Sequence, residues 1–288
     1  MSAVDLPTRR RTGDVLFKPR GVGRVIVPLL LAVATLVTLF PFYAMVVLSL
    51  KPAVGLTFPQ ALIPTGLTFD AYEAVLGGND LLRWVLNTVV YSVVSVVFVL
   101  LFASMAGYAF AKKRFPGRTA MFWSFLAMLM VPYHITLIPT FVLLSKMDGV
   151  NTYWGLIIPT LANAQATFLM RQFIAGIPDA LIDAARVDGA SDLRIFVQLI
   201  LPLCRPILAT LGLFVFLWHW NDFLWPLVIG QDSDMRTLTT GIAGLMRESQ
   251  PLNQTLAGSV VALAPIFLAY LFAQRHFTEG VAMTGVKG

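Results

Sequence analysis

Charge is what this chain of 288 residues has least of. Asp, Glu, Lys and Arg together make up 12% of it, about half the share usual in a water-soluble domain. Length alone would fit one or two soluble domains, but so few charges cannot keep them in water. Cysteine is almost missing as well. The single Cys204 excludes an internal disulfide, so no disulfide framework holds the fold. Motifs for chemistry are also absent. No GxxxxGK[ST] occurs, and Gly is nowhere followed by Lys, which excludes a phosphate-cradling loop of that kind. The "GVG" at Gly21 to Gly23 sits in a basic arm, outside any strand–turn–helix context. There is no HExxH and no GxSxG. His134, His219 and His276 are scattered without metal-ligand spacing. Catalysis on this chain is not expected. Work against a gradient would need an ion gradient or another subunit.

What is abundant is apolar. Hydrophobic residues are 57% of the chain, and its mean hydropathy is +0.77. Several runs exceed the roughly 20 residues that a helix needs to cross a hydrocarbon core. We therefore expect an all-α, polytopic membrane protein, because helices satisfy their own backbone in lipid. Six transmembrane helices are placed at about 25–50, 85–111, 119–145, 153–174, 203–230 and 255–275.

Basic residues orient them. One side receives Arg9, Arg10, Arg11, Lys18, Arg20 and Arg24, then the "AKKRFPGRT" segment, then Arg171, Arg186, Arg194, Arg205, Arg275 and Lys287. That is sixteen of the 21 Lys and Arg, against five on the other side (Lys51, Arg83, Lys146, Arg236 and Arg247). The bias predicts cytoplasmic termini and an even number of spans. It also accounts for the net charge of +6 without invoking nucleic acid. "AVA" at Ala32 to Ala34 resembles a signal-peptide cleavage site, but the apolar run continues to Leu50, longer than an h-region. The longest outer loop, 51–84, holds Pro52, Pro59 and Pro64, which favour extended chain. Within it "TFDAYEAVL" predicts a short helix starting near Asp70.

One hydrophilic break stands out. "PDALIDAARVDGASDLRIFVQLILP", Pro178 to Pro202, carries four Asp, two Arg and a glycine turn. Pro178 suits a first helical turn, and Asp179 places negative charge at its positive end. Residues 179–187 predict two turns, with Ala180, Leu181, Ala184 and Ala185 on one face. Asp188-Gly189 is a turn signal in which Gly189 can take a left-handed conformation. Ser191 predicts the cap of a second helix, on which Leu193, Phe196, Leu199 and Ile200 share a face up to Pro202. The bland alternative is a solvated loop between two spans, which has no need of this capped, two-helix order. The charge balance argues against a lipid-headgroup anchor, which would be basic.

This break resembles a known motif. Permease subunits of binding-protein-dependent ABC importers carry E-A-A, three residues, Gly, nine residues and I-x-L-P in their last large cytoplasmic loop. Here Asp183-Ala184-Ala185 precedes Gly189 by three residues, and Leu199-Ile200-Leu201-Pro202 follows it by nine. Asp stands for Glu and Leu for Ile. Nearly the whole chain is similar to the sugar-importer branch, the MalG-type permeases. The likeness runs through "NTVVYSVVSVVFVLLFASMAGYAFAKKRFPGR", "VPYHITLIPTFVLL", "DGVNTYWGLIIP" and "FLWHWNDFLWPLV". The last residues, "GVAMTGVKG", are similar to a tail usually ending in "GAVKG", with Met283 and Thr284 where small residues are common.

The resemblance implies a basic N-terminal arm (1–24), a six-helix permease domain (25–275) with a coupling loop at 176–202, and a C-terminal tail (276–288). It implies docking of that loop on a cytoplasmic ATPase. Asp183 would offer a carboxylate, Ala184 and Ala185 close approach, and Asp188-Gly189 the turn. Leu193 and Phe196 would pack the second helix, and Pro202 would end it. Val286, Lys287 and Gly288 would reach the ATPase pair. Implied partners are two ABC ATPases, a homologous second permease, an extracytoplasmic solute-binding protein and membrane lipid. ATP and Mg would be held by the ATPases, with no cofactor on this chain. The implied place is the bacterial inner membrane.

Polar residues inside spans are costly in lipid and tend to face a cavity or another helix. Asn87, Tyr91, Ser92, Ser95, His134, Thr136, Asn163, Gln165, Trp218, His219, Asn221 and Asp222 are the pathway candidates. An aromatic beside an amide and a carboxylate, as at Trp218 to Asp222, suits a sugar ring. Trp218, Trp220 and Trp225 equally suit an interfacial belt, and Asn87 equally suits a helix–helix hydrogen bond. His134 lies beside Pro132 at an expected kink. The rival cargo is another solute, such as a glycerol phosphate. The rival machine is an ion-coupled secondary transporter, which would need paired intramembrane carboxylates and inverted repeats. The sequence displays neither.

Overall fold

The structure is a computed structural model that describes residues 23–53, 57–78, 80–247 and 250–284. The basic arm before residue 23 and the tail residues Val286, Lys287 and Gly288 lie outside the described residues. Every described element is helical.

Helix α1 (Gly23–Ser49) keeps its course through Pro28 and Pro41, and its apolar window buries none of its residues within the chain. Side chains such as Leu36, Val37 and Phe40 therefore need lipid or another subunit beside them. A loop leads to α2 (Asp70–Gly78), where a helix is expected from "TFDAYEAVL". Helix α3 (Leu81–Lys112) is 32 residues long, about 48 Å of rod. It ends as the chain turns extended at Lys113, shortly before Pro116.

Three expected spans are broken. Helix α4 (Arg118–Ala127) and α5 (Tyr133–Ser145) meet at a bend of 101°. There Pro132 is extended and cannot donate to the helix ladder. Helix α6 (Tyr153–Ile157) passes through a short 3₁₀ turn, Ile158–Thr160, and an irregular stretch before α7 (Ala164–Ala175). Thr152 caps α6, and Asn163 caps α7 by accepting from the Ala166 N–H at 2.8 Å. The break is therefore built in by a proline and a cap.

The elbow follows, as α8 (Asp179–Val187), α9 (Asp192–Ile195), a π turn at Phe196–Ile200, and α10 (Leu201–Leu203). Helix α11 (Arg205–Asn221) leaves the elbow at 77°. It stops at Asp222, whose extended backbone separates it from α12 (Leu224–Ile229). Helices α13 (Leu238–Arg247) and α14 (Leu252–Thr284) complete the chain. Among the described residues, two helices are long and apolar enough to cross a membrane, and up to four if each bent pair is one span.

Helix α3 is the centre of the bundle. Tyr108, Val99 and Ala103 pack with α7, α11 and the elbow. Tyr91 packs with Leu144, Leu156 and Trp225, and Leu81 and Trp84 pack with Trp220 and α13. Gly107 lets α3 touch α7 backbone to backbone: a Cβ there would stand 2.9 Å from Met170 Cβ and 3.0 Å from the Arg171 nitrogen.

Candidate transport cavity and coupling elbow

The elbow is a capped two-helix turn. Gly189 has φ +79°. Around it the Ala190 N–H donates to Ala185 O at 2.9 Å and the Gly189 N–H to Arg186 O at 3.0 Å. This pair of bonds is the Schellman ending of a helix, which calls for a left-handed residue there. The Ser191 hydroxyl then accepts from the Arg194 N–H at 3.4 Å, opening α9.

One face of the elbow seals onto the bundle. Ile182, Ile195, Phe196 and Ile200 are buried with Met170, Ile174 and Tyr108. The other face is open and apolar: Val187 is 88% exposed and Leu193 70%, with Leu181 and Ala184 beside them. Ala185, expected on that face, is instead half-buried against the core. Asp183 pairs with Arg186 at 3.2 Å, and Asp188, Gly189 and Pro202 are exposed.

Leu193 and Phe196 do not share a face as the 3.6-residue period predicts. Phe196 lies on Tyr108, with ring centroids 5.6 Å apart, and Leu193 points away from the core. Past Ile195 the helix opens into the π turn, in which residues five apart come into line. Ile195 and Ile200 turn inward together, and the edge of the buried face falls between Leu193 and Ile195.

The second feature is a cavity of about 530 Å³. The three helix breaks, at Val131-Pro132, Pro159 to Asn163 and Asp222, all line it. Irregular backbone at membrane depth is tolerated where it borders a cavity or is buried in protein. At its floor the Tyr91 hydroxyl donates to Asp222 Oδ2 at 2.8 Å. The Tyr91 ring meets His219 edge-on at 4.9 Å. His219 donates from Nδ1 to Val215 O at 2.7 Å, and its Nε2 lies 3.1 Å from the Thr160 hydroxyl. Thr239 ties the break down by donating to Asp222 O at 2.6 Å. Trp218 is 55% exposed, a flat apolar plate at the rim. Among the described residues, the lining includes one carboxylate, Asp222, and no Lys or Arg.

Of the expected pathway residues, the structure brings together Tyr91, Thr136, Asn163, Gln165, Trp218, His219 and Asp222. Asn87, His134 and Asn221 are not among the lining. Asn87 donates to the carbonyls of Asp234 and Arg236, both at 2.8 Å, and accepts from Tyr153 at 2.6 Å, so it anchors the segment around Asp234 to Arg236. Asn221 donates back to Leu217 O at 2.7 Å. His134 is exposed beside Tyr133. Ser92 and Ser95 are buried inside the bundle. Sequence reasoning missed Thr160 and Tyr133; their only signal was adjacency to Pro159 and Pro132. It also missed that Lys112 and Lys113 reach the elbow.

The chain has relatives among known proteins. A family model described as "Binding-protein-dependent transport system inner membrane component" matches residues 100–282. The chain is 38% identical over 257 residues to the arabinooligosaccharides transport system permease protein AraQ of Halalkalibacterium halodurans, covering 88% of this chain and 92% of the relative. It is 31% identical over 280 residues to the sn-glycerol-3-phosphate transport system permease protein UgpE of Rhizobium meliloti, covering 93% and 99%. It is also similar to a chain in the crystal structure of a bacterial ABC transporter that imports the acidic polysaccharide alginate. There the TM-score is 0.79 at 25% identity, over 91% of this chain and 99% of that one. With the family model covering more than half of the chain and AraQ 38% identical over 88% of it, the chain belongs to the family of binding-protein-dependent transport system inner membrane components.

Proposed function

We propose that this chain is the transmembrane permease subunit of an ATP-driven importer that carries a sugar or sugar derivative. The observation that carries the reading is the pairing of two features on one helical frame: a mostly apolar cavity with a few polar side chains where three helix breaks meet, and an elbow with an open apolar face. The cavity wall suits an uncharged polyol. Trp218 offers a face for C–H groups, while Asp222, Tyr91 and Asn163 offer hydrogen bonds. AraQ, named for arabinooligosaccharides, supports a sugar cargo. The likeness to UgpE supports glycerol phosphate as a second reading. With no Lys or Arg among the described lining residues, an anionic cargo would call for basic groups from the second permease, so the sugar is favoured.

The elbow docks in a groove of a cytoplasmic ABC ATPase, through Leu181, Ala184, Val187 and Leu193. Asp183 and Asp188 face basic groups there, and the tail residues Val286 to Gly288 reach toward the ATPase pair. ATP and Mg bind to two such ATPases, and hydrolysis occurs on them. A homologous permease completes the pathway, and an extracytoplasmic binding protein delivers the cargo. Both termini are cytoplasmic in the inner membrane. The charge count supports this, and so does the grouping of Lys112 and Lys113 with the elbow while Arg83 pairs with Asp234 at the far end of α3.

The test is to purify the chain with its co-expressed neighbours, reconstitute it in lipid, and measure ATP hydrolysis with the binding protein and a sugar panel. Stimulation by one neutral sugar supports the reading. Stimulation by glycerol 3-phosphate alone favours the second reading, and hydrolysis indifferent to the binding protein refutes both.

A further inference from the structure

Helix α3 ends in two adjacent lysines, and each goes to a different limb of the elbow. Lys112 Nζ donates to Asp179 Oδ1 at 2.7 Å, at the start of α8, and to Ile177 O at 2.5 Å. Its third neighbour is Ala175 O at 3.5 Å, the end of α7. The Lys112 side chain is only 7% exposed. An ammonium buried to that degree is costly unless its donors are met, and all three partners belong to the joint between α7 and α8. Lys113 pairs with Asp192, the first residue of α9. Its Nζ also lies 5.2 Å from the centre of the Tyr108 ring, which packs on Phe196 of the same limb. A lysine serving only as a lipid-headgroup anchor would point its charge outward. Lys112 points inward.

We propose that Lys112 and Lys113 form a two-point clamp that makes the elbow and α3 move as one body. This inference rests on the reading that the elbow docks on an ATPase. Helix α3 is suited to carry the movement. It is locked to α7 at Gly107, where the two backbones touch. About 24 Å further along the rod, Tyr91 holds Asp222 at the floor of the cavity. Displacement entering at the elbow thus reaches the helix break through one stiff element. The lysines are positioning residues: they touch neither nucleotide nor cargo.

The experiment uses the full complex in proteoliposomes and compares basal with binding-protein-stimulated ATP hydrolysis. Absence of stimulation in the unmodified complex would refute the docking reading itself, separately from the clamp. Given stimulation there, Lys112→Gln and Lys113→Gln should each keep the ATPase subunits and the basal rate, and lose about fivefold in stimulation. Lys113→Asp should lose it as well, and Lys113→Asp with Asp192→Lys should regain most of it, which a merely structural role for Lys113 would not produce. Full stimulation in both Gln variants overturns the clamp. So does a swap that restores nothing. Loss of the ATPase subunits on purification overturns it too, because the lysines would then be docking residues.

Discussion

Replacing Gly189 separates backbone geometry from crowding at the elbow. The residue sits at φ +79°, and, its own chain neighbours aside, no atom of the described residues lies within 4 Å of where a Cβ would stand. Any cost inside the chain is therefore conformational. A residue with a Cβ pays about 1–2 kcal/mol to hold the left-handed region, and a β-branched one sits at the upper end. Asn tolerates the region better than Ala does. The Schellman bonds to Ala185 and Arg186 exist only with that turn in place, so the cost should appear as a shift in elbow population of roughly 5- to 30-fold. Stimulated ATP hydrolysis in the reconstituted complex should fall in the order Asn, Ala, Val, with Gly189→Asn nearest to the unmodified chain. Hydrogen exchange at the Gly189 and Ala190 amides should rise in the same order. Crowding in an ATPase groove would instead make Ala the mildest change, because its side chain is the smallest. Normal stimulation and normal exchange in Gly189→Val would refute the reasoning about the turn.

Three further outcomes are expected. Gly107→Ala should lower stability by about 1–3 kcal/mol, because its Cβ would meet Met170 Cβ at 2.9 Å, whereas Gly77→Ala, with nothing within 4 Å, should not; thermal unfolding of the purified complex compares them. Tyr91→Phe should cost about 1–2 kcal/mol by leaving Asp222 without its hydroxyl partner, and cargo uptake should fall with it. The hydrogen bonds from Lys112 and Lys113 hold the Asp179 and Asp192 carboxyls below their usual 3.8. A folded value below the unfolded one adds stability that is complete above the ordinary carboxylate range and disappears as pH falls through the depressed value. Hydrogen exchange of the elbow amides, corrected for intrinsic rates, should stay level from about pH 8 to 5 and rise only below about pH 4.

Local signals in the sequence were legible where one residue decides the backbone. Asp188-Gly189 announces the left-handed turn, Ser191 the cap of α9, and the apolar run after Gly23 a helix that emerges as Gly23–Ser49. The breaks within 153–174 and 203–230 were not legible. Hydropathy averages over a window and is blind to φ and ψ, so Pro159 and Asp222 interrupt helices inside segments that read as uniformly apolar. The convergence of these breaks on one cavity is a tertiary fact, as is the meeting of Lys112 with Asp179, 67 residues further along. The exposure of Leu193 next to the buried Phe196 was missed for a different reason: the 3.6-residue period says which residues are neighbours on a helix, not where the edge of its buried face falls.

Cross-linking from the open face of the elbow tests the central claim most directly. Cys204 is fully buried, so a cysteine placed at Val187 or Leu193 supplies the one accessible thiol among the described residues. In the assembled complex a short bifunctional reagent should join either position to an ATPase subunit, while a cysteine at Ser233, at the other end of the bundle, should give no such product. Labelling of Val187→Cys and Leu193→Cys by a water-soluble reagent from the outer side, or an ATPase cross-link from Ser233→Cys alone, would contradict the account.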